Sequence, residues 1–143
     1  MTDTLPRRAD FAVIRAIPTR LEDLDVYGHV NNVVYYSLFD TAVNVQLIEA
    51  GVLDMATSPV IGLVVATGCR FLASLSFPET VEAGLRVTKL GTSSVRYEIG
   101  LFQAGRDDPA ALGHFVHVYV DRATRRPTPI PEATRQVLQA LTL

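Results

Sequence analysis

The chain has 143 residues, 48% of them hydrophobic and 20% charged, with a formal net charge of −2. That length suits one domain with a real core, 1–143, and scattered charges without a Lys/Arg-rich run argue against a nucleic-acid partner. A single cysteine, Cys69, excludes an internal disulfide framework, and neither a leader-like apolar segment nor a run of ~18 apolar residues is present, so a cytoplasmic protein that does not engage a membrane is expected.

In chain order, FAVIRAI (11–17) reads as a first strand closed by Pro18. Residues 33–50 are the long helical candidate. Val34, Leu38, Val45 and Ile48 form one apolar stripe, and Tyr36, Phe39, Val43 and Leu47 another, which predicts a helix buried on several sides. Asn31 or Asn32 is suited to cap its start, and Gly51 to end it.

Beyond Pro59 the period changes to two. VIGLVVA (60–66) is a continuous apolar run expected as a central strand. Residues 69–77 set Cys69, Phe71, Ala73, Leu75 and Phe77 against Arg70, Ser74 and Ser76. Residues 81–88 set Val81, Ala83, Leu85 and Val87 against Glu82, Arg86 and Thr88, and 95–101 continue with Val95, Tyr97, Ile99 and Leu101. In 112–120, Leu112, His114, Val116, Val118 and Val120 oppose His117 and Tyr119. Turn residues in the short breaks (78–80, 91–94, 104–110) favour an antiparallel meander, and PEATRQVLQALTL predicts a short closing helix. The order of one strand, one buried helix and four or five strands implies an α+β fold in which a curved sheet wraps the long helix.

No GxSxG, GxGxxG, P-loop or HExxH pattern is present. His114 and His117, three apart in a strand, point to opposite faces and do not share a metal. What stands out is LEDLDVYGHVNNVVYY (21–36), a polar cluster running straight into the apolar helix.

The order of elements together with DVYGHVNNVVYYSLFD resembles the hotdog-fold acyl-CoA thioesterases, in particular the 4-hydroxybenzoyl-CoA thioesterase-like family. The motif residues are Asp25, Tyr27, Gly28, His29, Val30, Asn31, Asn32 and Tyr35, and the likeness extends through CRFLASLSFPETVEAGLRVTKLGTSSVRYEIGLF, over roughly residues 10–121. The small ASLS replaces a longer polar segment common in the family, a departure that bears on substrate rather than reaction.

The resemblance implies that Asp25 is the catalytic acid, acting as a nucleophile or as a general base on water. It implies that a helix-start N–H, at Asn32, meets the thioester oxygen, which suits a helix N-terminus. His29 contacts substrate, orients Asp25, or makes a structural hydrogen bond. Tyr27, Gly28 and Tyr35 line the substrate site on this reading, although Tyr35 and Tyr36 serve equally as core. For CoA the resemblance points to the turn Gly91, Thr92 and Ser93, with Lys89 and Arg96 nearby. Arg70, Arg122, Arg125 and Arg126 are further phosphate candidates or solvated surface charges. Asp23 and Asp40 are competing acids, Asp40 as a structural helix residue.

No metal or organic cofactor is implied, the CoA thioester being the substrate. The family pairs its sheets edge to edge, so a homodimer, or a homotetramer built as a dimer of dimers, is the implied assembly. An acyl-carrier-protein thioesterase and a non-catalytic acyl-CoA binding module are the alternatives. A hotdog hydratase is disfavoured, because His29 is four rather than five residues after Asp25, with no Asn-Pro between.

Overall fold

Residues 4–142 are described by a computed structural model. Five strands, β1 (Val13–Pro18), β2 (Val60–Phe71), β3 (Thr80–Leu90), β4 (Ser94–Gln103) and β5 (Ala111–Asp121), form one antiparallel sheet in the order β1-β3-β4-β5-β2. Helix α1 (Asn32–Glu49) lies on one face, and α2 (Glu132–Ala140) closes the chain. This is the hotdog arrangement expected from the sequence. Among the described residues no helix is long and apolar enough to cross a membrane.

The ends of α1 follow from their residues. Asn31 Oδ1 accepts the N–H of Val33 as an N-cap. At the other end Val52 N–H bonds Leu47 O and Gly51 N–H bonds Ile48 O, with Gly51 left-handed at φ 79°. Those two bonds are a Schellman stop. One face of α1, carrying Tyr35, Leu38, Phe39, Ala42, Val43 and Leu47, is buried on the sheet. Gly113 lets that contact be close, since a Cβ there would stand 2.3 Å from the Phe39 ring.

Three expectations are corrected. The helix is buried along one side only in a single chain, with Val33 and Ile48 exposed on its other flank. The apolar run after Pro59 is not central. It belongs to a twelve-residue strand, β2, at the edge of the sheet, which continues through Cys69 and ends at Phe71, so that 72–79 is a loop rather than more strand. The face assigned to β5 is inverted. Phe115, His117 and Tyr119 face α1, while Leu112, His114, Val116 and Val118 face away.

The inversion has a physical cause. The N-terminal segment crosses the outer face, where Phe11 packs with Phe102 and Leu112, so both sides of β5 are apolar and the alternation carries no contrast. β3 and β4 have one polar face, and their core residues fall where the alternation puts them.

Candidate active site

Asp25 begins a tight excursion between Leu24 and Val30, which bridge each other. Asp25 N–H donates to His29 O (2.9 Å), and Gly28 N–H donates to Asp25 O (3.2 Å). The turn needs a left-handed residue, and Gly28 supplies it at φ 81°. Within this turn Asp25 Oδ1 accepts the N–H groups of Tyr27 (2.9 Å) and His29 (3.3 Å). The other carboxylate oxygen has no protein donor among the described residues. The carboxylate is thus oriented by main chain while one oxygen stays free.

The loop is anchored from below. Val30 N–H donates to Leu75 O (2.9 Å), and Asn31 N–H donates to Asp23 O (2.8 Å). Asp23 itself is buried and ion-paired to Arg20 (2.8 Å), which makes it a structural acid. Asp40 is exposed on α1 and accepts from Asn44 Nδ2 (2.9 Å). Of the three acids weighed, only Asp25 opens into a cleft with the helix start.

That cleft, about 410 Å³, is lined by Asp25, His29, Val30, Asn32, Tyr35 and, from the end of β2 and its following loop, Phe71 to Ser74. Asn32 is the first residue of α1, and its N–H meets no acceptor among the described residues. An amide left open at a helix N-terminus carries partial positive charge. Tyr35 is buried and packs edge-on against Phe71, with ring centroids 4.9 Å apart. Burial pushes its hydroxyl above the usual phenol range. The cleft therefore pairs an oriented carboxylate with an unused main-chain donor over an aromatic floor, the equipment for attack on a carbonyl whose oxygen gains charge.

Of the residues singled out in the sequence, Asp25, His29, Asn32 and Tyr35 share this cleft, and Gly28 shapes it. Tyr27 is 81% exposed and Val26 93%, so in one chain neither desolvates Asp25. Arg70 is on the outer face, where with Arg96 and His114 it lines a separate cleft of about 600 Å³. Gly91, Thr92 and Ser93 sit at the opposite end of the sheet from Asp25, because Ser94 is level with Val118 whereas Phe71 is level with Ala111. Their carbonyls are engaged by Arg135, Ile130 and Tyr119. Arg122 is likewise occupied, bonding the carbonyls of Ser58 and Met55. Leu72, Ala73 and Ser74 are lining residues that the sequence reading missed by extending the strand through them. The small ASLS segment running up to Pro78 was the signal for a loop.

The model of the thioesterase-like superfamily matches residues 19–138. The chain belongs to that superfamily, and it is a thioester hydrolase. Among solved structures it is similar to the PA5185 protein of Pseudomonas aeruginosa strain PAO1, at 50% identity over 96% of each chain with a TM-score of 0.94. It is also similar to the PA2801 protein of Pseudomonas aeruginosa, at 29% identity over 90% of this chain and 98% of that one, TM-score 0.83. The BH1999 gentisyl-coenzyme A thioesterase is 25% identical over 88% of this chain and 99% of that one, with a TM-score of 0.78. No curated protein matches the chain.

Proposed function

We propose that this thioesterase cleaves an acyl-CoA to the free acid and CoA in a site completed by a second copy of the chain. The observation that carries the proposal is the cleft holding both the oriented Asp25 carboxylate and the acceptor-free N–H of Asn32. The thioester carbonyl oxygen lies against that N–H, which gains strength as the oxygen becomes anionic. Asp25 either attacks the carbonyl carbon to give a mixed anhydride that water then opens, or removes a proton from water as it attacks. CoA thiolate leaves in either case and is protonated from solvent. Since the main chain polarises the carbonyl, the chemistry needs no metal and no organic cofactor. A CoA ester as substrate places the enzyme in the cytoplasm, and the thioesterase similar at 25% identity acts on one.

A homodimer follows from the edge strand. β2 pairs on one side only, with β5, and exposes Leu63, Val64 and Val65, whereas the opposite edge, β1, is short and ends at Pro18. A long unguarded apolar edge recruits another strand. Antiparallel pairing of β2 with its own copy covers the half-open cleft and brings the Gly91–Ser93 turn to the end of the assembly where the partner's Asp25 works. There the turn, with Tyr27 and Arg70, meets the CoA arm. Two such dimers make the tetramer.

The test is thiol release from acetyl-, medium-chain, long-chain and aromatic acyl-CoAs by the wild type and by Asp25→Asn. A fall of at least ~100-fold in kcat with an unchanged circular dichroism spectrum is expected, the scale of a lost base or nucleophile. Single turnover in ¹⁸O-water separates the two roles, because only a nucleophilic Asp25 acquires the label. Full activity in the variant would remove Asp25 from the chemistry.

A further inference from the structure

A second cavity, about 180 Å³, lies at the far end of α1, lined by Asn44, Leu47, Val52, Leu53, Met55, Val60 to Gly62, His117, Tyr119 and Arg122. Its walls are largely apolar, yet His117, only 3% exposed, has no hydrogen-bond partner for Nε2 among the described residues. Tyr97, packed edge-on against His117 at 5.3 Å, has an unpartnered hydroxyl as well. Buried polar groups are rarely left unpaired unless something absent satisfies them. Gly62 keeps the space beside the ring open, since a Cβ there would come within 3.0 Å of His117 Nδ1.

Within one chain this cavity is remote from Asp25. Asn44 is twelve residues along α1 from Asn32, or about 18 Å at the helical rise. Pairing of β2 with its own copy along its whole length changes the neighbours. Val60 then lies beside Phe71 of the partner subunit, because a two-fold axis matches the first residue of one strand to the last of the other. Phe71 lines the Asp25 cleft, and Val60, Ile61 and Gly62 line the His117 cavity. Gly62 and Phe71 both project to the α1 side, being registered with Tyr119 and Ala111. The two hollows therefore join across the interface.

We propose that the His117 cavity of one subunit receives the acyl group whose thioester is held at the partner's Asp25, and that it selects a compact, ring-sized acyl group bearing a hydrogen-bonding atom at its far end. This deepens the dimeric thioesterase reading and rests on it. The size sets the first half of the preference, since a cavity of ~150 Å³ accommodates a benzene ring. The second half comes from His117. A neutral imidazole offers one donor and one acceptor, and a substrate hydroxyl satisfies either, whereas an unsubstituted ring leaves the buried nitrogen unpaired. The long saturated chain of a fatty acyl-CoA both exceeds the cavity and leaves His117 unmatched.

The experiment compares kcat/KM for benzoyl-CoA, 3-hydroxybenzoyl-CoA, 4-hydroxybenzoyl-CoA and octanoyl-CoA in the wild type, His117→Phe and Gly62→Ala. The wild type is expected to favour at least one hydroxylated ester over benzoyl-CoA by tenfold or more. His117→Phe should collapse that ratio to within threefold of unity. Gly62→Ala, which fills the cavity without touching the histidine, should raise KM for every ring-sized ester more than for acetyl-CoA. The subunit origin is read by mixing and refolding Asp25→Asn with His117→Phe. A composite site regenerates one wild-type pocket per heterodimer, so hydroxylated-ester activity rises to roughly a quarter of the wild type in a statistical mixture, while a pocket built within one chain gives no recovery.

Absence of any hydroxyl preference in an enzyme that Asp25→Asn still silences would overturn this proposal and leave the thioesterase reading standing. So would an equal loss on all four esters in folded His117→Phe. Activity that survives Asp25→Asn would instead sink the reading beneath it.

Discussion

The two ends of the sheet treat their polar groups in opposite ways. At the Asp25 end, one carboxylate oxygen and the Asn32 N–H have no protein partner among the described residues, and Val26 and Tyr27 stand in solvent. At the other end, every carbonyl of the 91–93 turn is taken: Gly91 O by Arg135, Thr92 O by Arg135 and Ile130 N–H, Ser93 O by Tyr119 N–H. Both loops are rich in turn residues and look alike as sequence. One is held open for a reacting group, and the other is closed by the C-terminal segment. What the closed end keeps unsatisfied is inside it, at His117.

If the open end needs the closed end of a second copy, disrupting β2 should be the most damaging change remote from Asp25. Val65, 60% exposed at the bulge in the β2–β5 register, sits near the middle of the edge. Val65→Lys puts a charge where two strands would meet, a device by which natural edges avoid pairing. Sedimentation should then show monomers, and kcat/KM should fall by roughly two orders of magnitude in a protein that keeps its circular dichroism spectrum. The same substitution at Ile14, on the β1 edge, should change neither. Equal effects at both edges would mean that β2 has no special partner.

Arg135 probes the closed end. Its guanidinium donates to Gly91 O (2.7 Å) and Thr92 O (3.0 Å) from α2. Hydrogen bonds to a charged group contribute about 1.5–3 kcal/mol each when removal strands the acceptor. Arg135→Ala should lower stability by about 2 kcal/mol, a fall in Tm of roughly 5 °C for a chain of this size. Because the turn is also the proposed CoA contact, KM should rise several-fold while kcat changes little. A fall in kcat with unchanged KM would detach the turn from CoA.

The contrast between the ends also marks what was legible in sequence. Asp25, Gly28, Asn32 and Tyr35 are contiguous, so the residues of one half of the site could be read together, and Asn31 and Gly51 bracketed α1 by their cap chemistry. β3 and β4 were legible because each has one polar face. β2 and β5 were not. β2 is apolar at an exposed edge, and β5 is apolar on both faces because α1 covers one and the Phe11 cluster part of the other. Periodicity reports contrast, and there was none. For the same reason the spacing of His114 and His117 placed them on opposite faces without saying which one faced the core. A site divided between chains is further beyond reach, since Asp25 and His117 adjoin in neither sequence nor single-chain space.

The two histidines give the smallest and most specific test of that inside–outside difference. Burial lowers the His117 pKa, and the nearby Asp40 carboxylate opposes the shift. Its other close neighbours, Tyr97 and Tyr119, stay neutral at such pH because burial raises both. A histidine whose pKa is lower folded than unfolded binds its proton more readily in the unfolded chain. The stability linked to it is therefore complete above the unfolded pKa of ~6.5 and is lost as pH falls from there towards the folded value. Denaturation midpoints should decline between pH 7 and pH 5, at no more than ~1.4 kcal/mol per pH unit from this one group. In His117→Phe the decline should be shallower. His114 is also lowered, by burial and by Arg96 on the outer face, but it is only half-buried and Glu98 counteracts the shift. His114→Gln should flatten the profile less than His117→Phe. The reverse order would place the protonation-sensitive histidine on the outer face and leave the cavity at the closed end without its polar wall.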